Sequence, residues 1–299
     1  MSLAPVALFT YNRLLHTKKT IEALQKNRLA SETELIIFSD AAKNEQSVQE
    51  VKAIREFLTS VSGFLKVSII EREFNYGLGR NIIEGVTEVL SRYGEVIVLE
   101  DDLLTSPYFL EYMNTALQLY QNEESVISIH GYLYPVNEEL PETFFLKGAD
   151  CWGWATWKRG WELFETDGKK LLQRLQENNL LHSFDYLGAY PYTQMLKDQI
   201  AGRNTSWAVR WYASAFIHDK YTLYPGRSLV YHAGGDGSGT NTGFDNLLDV
   251  NLTEKPVNVK RSTVQQNAQA YKVFREFYRK LSKPSLIYRL KRKIKKILG

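Results

Sequence analysis

Short runs of consecutive apolar residues alternate with stretches whose apolar positions recur every three or four residues, and this alternation fills the first 130 positions. Pro5-Val6-Ala7-Leu8-Phe9-Thr10 is an apolar run that ends in polar Tyr11-Asn12-Arg13. Thr17, Thr20, Ile21 and Leu24 then fall at i, i+3, i+4, i+7, the spacing of one helix face. Glu34 to Asp40 predicts a second buried strand, and Val51, Ile54, Phe57 and Leu58 a second helix face. Leu65 to Ile70 is strand-like, and Gly77 to Tyr93 is helical through Ile82, Ile83, Val86, Val89 and Leu90. Glu95-Val96-Ile97-Val98-Leu99 is the clearest core strand and runs directly into Glu100-Asp101-Asp102. Ser106-Pro107 predicts the next helix start, with a capping hydroxyl and a proline in the first turn. Continuous apolar strands between amphipathic helices predict an α/β fold, with a mostly parallel sheet covered on both faces.

Beyond residue 130 the pattern changes. Trp152, Trp154, Trp157 and Trp161 lie within ten positions, and Trp207, Trp211 and Tyr212 precede a glycine-rich stretch at 234–239. For most of these tryptophans a core under long loops is the expected place; Trp152-Gly153-Trp154 would also suit a wall for a sugar, since flat aromatic faces stack on pyranose rings. The glycine-rich stretch reads either as a turn or as a backbone cradle for phosphate. A long helix is predicted from about Thr263 to Leu281.

Composition narrows the class. With 44% hydrophobic and 24% charged residues the chain is an ordinary folded protein. Its one cysteine, Cys151, excludes an internal disulfide and a cysteine-based zinc site. No apolar run reaches the roughly 18 residues of a membrane span, and Met1 to Pro5 shows no basic segment ahead of an apolar one, so a cytoplasmic location is expected. The net charge of +3 hides a division. Residues 285–299 hold six basic side chains and no acid, which leaves 31 basic against 34 acidic side chains in the rest. A nucleic-acid footprint across the body is therefore not expected. On a helix, Leu286, Leu290, Ile294, Ile297 and Leu298 would form an apolar stripe among those basic residues. That is the pattern of a helix lying on an anionic membrane surface, with a solvated terminal helix as the alternative.

The chemistry concentrates where predicted strands end, because open α/β sheets bind ligands beyond the carboxyl ends of their strands. Asn12-Arg13, Ser39-Asp40 and Glu100-Asp101-Asp102 occupy three such ends. Three adjacent carboxylates repel one another, and a divalent cation with substrate diphosphate oxygens relieves that repulsion. An acidic helix N-terminus ahead of Ser106-Pro107 is the other reading. Familiar alternatives fail: there is no G-x-x-x-x-G-K-[ST], no H-E-x-x-H, and Gly77-Leu78-Gly79-Arg80 lacks the third glycine of a dinucleotide fingerprint.

These residues resemble a family. Phe9-Thr10-Tyr11-Asn12-Arg13, Ser39-Asp40 and Val98 to Leu103, followed by Ser106-Pro107-Tyr108-Phe109-Leu110-Glu111-Tyr112, are similar to GT-A-fold glycosyltransferases. The likeness is to the N-acetylglucosaminyltransferase I group and bacterial family-2-like enzymes; it spans about residues 4–165 and extends patchily to about 245. It implies an inverting, metal-dependent transfer of a hexosyl or N-acetylhexosaminyl group from a nucleotide diphosphate, with UDP as the expected nucleotide. The acceptor would be a saccharide, free or lipid-linked, in bacterial surface-glycan assembly. Residues 1–130 would form the donor-binding half, 131–260 the acceptor-side half, and 261–299 a terminal helix and basic tail on the inner face of the membrane.

Carried over by position, Thr10 and Asn12 would line the donor nucleotide, Arg13 would lie by its diphosphate or base, and Asp40 would hydrogen-bond the uracil. Arg80-Asn81 stands where the family has an Arg-His pair, Glu100 and Asp101 would face ribose and sugar, and Asp102 would bind Mn²⁺ or Mg²⁺. His232 is either a metal or phosphate ligand or a strand-end histidine with a satisfied hydrogen bond. The family's base lies in an Asp-Asp-Trp segment, but here Ser206 to Trp211 carries no carboxylate. Asp150 is the leading substitute, followed by Asp198 and Asp236. A nucleotidyltransferase and a catalytically inactive binding module are the rival readings; the first normally needs a glycine- and lysine-rich loop that Thr10 to Arg13 does not supply.

Overall fold

The computed structural model describes residues 3–236 and 246–282. The strands are β1 (Val6–Thr10), β2 (Glu34–Ser39), β3 (Lys66–Glu71), β4 (Glu95–Glu100), β5 (Leu103–Thr105), β6 (Val126–His130), β7 (Thr143–Lys147), β8 (Trp154–Trp157), β9 (Tyr221–Pro225) and β10 (Val230–His232). Between them run helices α1 (Leu14–Gln25), α2 (Glu45–Leu58), α3 (Leu78–Tyr93), α4 (Phe109–Tyr120), α5 (Lys158–Trp161), α6 (Gly168–Glu177), α7 (Leu181–Phe184), α8 (Tyr192–Ile200), α9 (Ala208–Ile217) and α10 (Ala268–Leu281). Eight strands form one sheet in the order β3-β2-β1-β4-β8-β6-β9-β7, and β5 pairs separately with β10.

The first four strands are parallel, as their continuous apolar runs predict. Val6 and Leu8 of β1 face a core filled by Ile21 and Leu24 of α1 and Ile54 and Leu58 of α2. Ala7 and Phe9 point the other way, toward Ile82, Val86 and Val89 of α3. Each such buried aliphatic side chain contributes about 1.5–3 kcal/mol relative to exposure. Local chemistry closes the helices. Asn44 and Ser47 form a capping box at the start of α2, and Gly94, in the left-handed region at φ 79°, ends α3 by donating its N–H to Leu90.

The second half of the sheet is mixed. Strand β8 runs antiparallel to both β4 and β6, β9 is parallel to β6, and β7 is antiparallel to β9. Trp154, Trp161, Trp207 and Trp211 pack around one another with ring centroids 5.2–5.7 Å apart. They belong to the core against α3, and Trp157 is buried too, so among the six tryptophans only Trp152 is half-exposed.

Two predicted boundaries move. Helix α10 begins at Ala268, not near Thr263, because Asn267 donates its N–H to Phe145 and caps the helix with its side chain. The preceding Gln266 bridges Phe145, so that segment follows the sheet edge. Helix α4 begins at Phe109, and the Ser106 hydroxyl is spent on the Thr253 carbonyl at 2.7 Å; its contact with the Tyr108 N–H is a long 3.4 Å.

Candidate active site

Because β1 lies between β2 and β4, the ends of all three strands open on one edge of the sheet. Arg13, which precedes α1, reaches over the end of β4 and donates from Nη2 to Asp101 Oδ1 and, at 2.8 Å, to Asp102 Oδ2. Thr20 of α1 donates its hydroxyl to the Asp101 carbonyl at 2.8 Å and fixes the turn. Both aspartates are buried, and Arg13 Nη1 is buried without a hydrogen-bond partner among the described residues.

Strand β5 follows the acidic turn at once, and its pairing with β10 sets His232 opposite Leu103. The result is an Asp102 Oδ2 to His232 Nε2 separation of 3.6 Å, while the Ala233 N–H donates to the Asp102 carbonyl at 2.8 Å. Gly234 keeps these two side chains open: a Cβ there would collide with Asp102 Oδ2 and come within 3.0 Å of His232 Nε2. Trp152 stacks flat on the His232 ring, centroids 4.3 Å apart and planes 5° from parallel, and meets Tyr132 edge-on.

Asp150 lies beside this cluster. Its Oδ1 accepts the Cys151 N–H at 2.8 Å and its Oδ2 the Tyr134 hydroxyl at 3.1 Å. Burial, then the charges of Asp150, Glu100 and Asp102, pushes the Cys151 thiol well up, so the one cysteine sits among three carboxylates as an unreactive thiol.

The acidic turn is electrostatically uneven. Burial, then the neighbouring Asp102 and Asp101, pushes Glu100 up to about 8. Burial also raises Asp101, to about 6, against the opposing pull of Arg13. Burial would raise Asp102 too, but His232 and Arg13 outweigh it and hold that carboxyl at about 2. Asp102 is thus the member of the trio fixed as an anion, which is the form a cation needs.

The remaining predicted residues fall at varied distances from this cluster. Thr10 closes β1 with a buried hydroxyl that has no hydrogen-bond partner among the described residues. Asn12 donates to Glu50 at 2.7 Å. Asp40 is buried, and its oxygens accept from the N–H groups of Ala41, Tyr76 and Gly77 at 2.8–2.9 Å and from the Asn75 amide at 3.2 Å. That carboxylate staples the 75–77 loop to the end of β2. Arg80 pairs with Glu84 on the surface and lies over Tyr76, while buried Asn81 accepts from Arg72. Asp198 of α8 pairs with Arg203 just beyond the helix and is not joined to the cluster by any hydrogen bond among the described residues. The side chain of Asp236, residues 237–239 of the glycine-rich stretch, and the basic tail lie outside the described residues.

The family model described as glycosyl transferase family 2 matches residues 6–181, more than half of the chain. The chain belongs to glycosyl transferase family 2. It is a glycosyltransferase with the GT-A fold, and the matched span contains the acidic turn, Asp150 and the tryptophan segment. No curated protein matches it significantly. Among solved structures, a mannosyltransferase from Pyrobaculum calidifontis, in complex with GDP-Man and Mn²⁺, is 12% identical over 58% of this glycosyltransferase, with a TM-score of 0.33. The match spans 47% of that mannosyltransferase.

His130 was missed by sequence reasoning. It ends β6 fully buried, and its Nε2 lies 3.7 Å from Asp150 Oδ2. A histidine closing an apolar strand, just before Gly131, is the only local sign of it.

Proposed function

We propose that this glycosyltransferase moves a sugar, with inversion, from a nucleotide diphosphate to a saccharide acceptor, with UDP as the nucleotide and Mn²⁺ or Mg²⁺ as the cation. The observation that carries the reading is the convergence of Asp102, His232 and the spare Arg13 Nη1 at one strand end, beside Asp150. The donor set fits a hard divalent ion: a low-pKa carboxylate and an imidazole, with space kept by Gly234. Among the described residues no group of three or more His, Cys, Asp or Glu side chains is placed to hold a metal. Two protein donors alone bind a cation weakly, so diphosphate oxygens would complete the shell and metal and donor would bind together. When bound, the cation offsets negative charge on the departing diphosphate.

The chain's own residues supply the rest. Arg13 would turn its unpartnered Nη1 to a phosphate oxygen, and Glu100 and Asp101 would face ribose and sugar. Asp40 would act on the nucleoside side by holding the Tyr76–Gly77 backbone beside Arg80 and Asn81, with Thr10 and Asn12 on the facing loop. Asp150 would take the proton of the acceptor hydroxyl as that oxygen bonds to the anomeric carbon; the bond from that carbon to phosphate breaks, and its electron pair leaves on the diphosphate. Residues 1–130 then serve the donor and 131–260 the acceptor.

Among the described residues no helix is long and apolar enough to cross a membrane. The amphipathic sequence of residues 285–299 supports peripheral attachment to the inner face of a bacterial membrane, near a lipid-linked glycan acceptor. Flotation with anionic vesicles tests this: equal binding by the full chain and by residues 1–284 would remove it. The donor site is tested by thermal shift. Mn²⁺ with UDP is expected to stabilise the chain more than either alone, and Asp102→Ala to abolish the gain; absence of any shift in the wild type would overturn the reading.

A further inference from the structure

We propose that His130 is a positioning residue for Asp150, donating its Nε2–H to Oδ2 and so orienting the carboxylate that takes the acceptor proton. The proposal deepens the assignment of Asp150 as the base and rests on it. His130 is fully buried, and neither ring nitrogen has a hydrogen-bond partner among the described residues. A buried polar group left unpaired is destabilising, and an apolar side chain at this strand end would avoid that cost. The nearest carboxylate oxygen is Asp150 Oδ2, 3.7 Å from Nε2. Tyr224 and Tyr132 flank the ring edge-on, with centroids 5.0 and 6.4 Å away, and hold it in place.

Burial pushes the imidazole below its ordinary pKa, against the opposing charge of Asp150, so it stands neutral, with one nitrogen as donor and the other as acceptor. A donor facing the carboxylate is the favourable tautomer. At 3.7 Å the pair stands just beyond hydrogen-bond distance, and catalytic hydrogen bonds that are long in the free enzyme tighten once substrate binds. With the Tyr134 hydroxyl and His130 both on Oδ2, that oxygen is saturated. Oδ1, which accepts the Cys151 N–H, keeps a lone pair for the acceptor hydroxyl. The proton then passes from that hydroxyl to Oδ1, and the O–H electron pair becomes the new glycosidic bond.

Two measurements test this. In the first, ¹⁵N-histidine-labelled full chain is observed by long-range ¹H–¹⁵N NMR, with the His130 signals assigned by their loss in His130→Gln. The expected state is the neutral Nε2–H tautomer, with the Nε2 resonance shifting in Asp150→Asn. An Nδ1–H tautomer, or a resonance indifferent to Asp150→Asn, overturns the proposal without any need for substrate. The second is a double-mutant cycle on turnover of UDP-glucose and UDP-N-acetylglucosamine, with hydrolysis accepted as transfer to water. His130→Leu is expected to lower kcat ~10–100-fold with KM unchanged, and His130→Gln, which keeps a donor, to lose less than ~5-fold. In the Asp150→Asn background His130→Leu should cost less than ~2-fold, since the group it positions is gone. Equal losses in both backgrounds would make His130 merely structural. If Asp150→Asn alone keeps wild-type kcat, it is the base assignment that fails. His130→Met repeats the cycle if the Leu chain does not fold.

Discussion

The two ends of the candidate site are built on opposite principles. At the end of β4, three carboxylates crowd one turn and are compensated by a full charge, the Arg13 guanidinium, bound to two of them. Around Asp150 the hydrogen bonds come from a tyrosine hydroxyl and a backbone N–H, and the surroundings are aromatic. Asp102, held by His232 and Arg13 together, loses affinity for protons, with its pKa at about 2, and is suited to hold a cation. Under the proposed function one fold separates charge binding from proton transfer: the acidic turn would hold the cation and, through it, the donor's diphosphate, and the aromatic side would receive the acceptor.

Asp102 is where the two ends differ most. Asp102→Ala is expected to lower transfer by ~10³-fold or more, because cation stabilisation of the leaving group is worth several kcal/mol, and to lose the Mn²⁺-with-UDP thermal shift. At the other end, Asp150→Asn is expected to lower kcat ~10²–10³-fold while leaving that shift intact. Steady-state kinetics and calorimetry on the same two variants check both outcomes. Loss of the shift in Asp150→Asn would mean the two ends are one binding site and end the proposed separation.

The sequence made the donor end easier to read than the acceptor end, for physical reasons. Parallel core strands are continuous apolar runs, so β1, β2 and β4 announce themselves, and a run of three acids after such a strand is costly enough to stand out. Strand β5 is three residues long and exists by pairing with β10, more than 120 positions away, so no local periodicity marks it. That pairing is also what brings His232 to Asp102. Asp40 looked like a free strand-end acid, but its partners come from residues 75–77 and the next backbone N–H, and only the folded loop reveals them. His130 and Asp150 are twenty positions apart and are brought close where β6 pairs antiparallel with β8, in the mixed half of the sheet where order along the chain no longer gives order in space. The tryptophans illustrate the same limit. Composition marked them as a group, and burial divides Trp152, on the His232 ring, from the others in the core.

A stability experiment sharpens the donor end. Asp40→Ala would strip four donors of their buried acceptor, and the expected loss is about 3 kcal/mol in urea unfolding, the sum of several partly resolvated N–H groups. Asp40→Asn, which keeps one oxygen, should lose less. If Asp40→Ala instead unfolds like the wild type but no longer binds UDP, the carboxylate contacts the base directly and the 75–77 loop is held by other means.

The smallest effect concerns Glu100, and its sign follows from the crowding itself. Burial and the adjacent aspartates raise this carboxyl from 4.5 to about 8, so near neutral pH the folded chain keeps a proton that the unfolded chain has released. The native state then binds more protons than the unfolded state, and stability must fall as pH rises from about 4.5 toward 8. Asp101, raised to about 6, adds to the slope in the lower part of that window, whereas Asp102 loses its own contribution only in strong acid. Buried His130 and half-buried His218, lowered from 6.5, oppose this slope up to about pH 7, so between pH 7 and 8 it belongs mainly to Glu100, at up to about 1 kcal/mol per pH unit. Urea melts of the chain without metal should show it, and Glu100→Gln, neutral at every pH, should flatten it. Saturating Mn²⁺ with UDP should weaken the slope as well, because a cation at Asp102 offsets the charge that keeps Glu100 protonated. A slope of the same sign and size in Glu100→Gln would place the excess proton elsewhere and leave the acidic turn fully ionised before any ligand arrives.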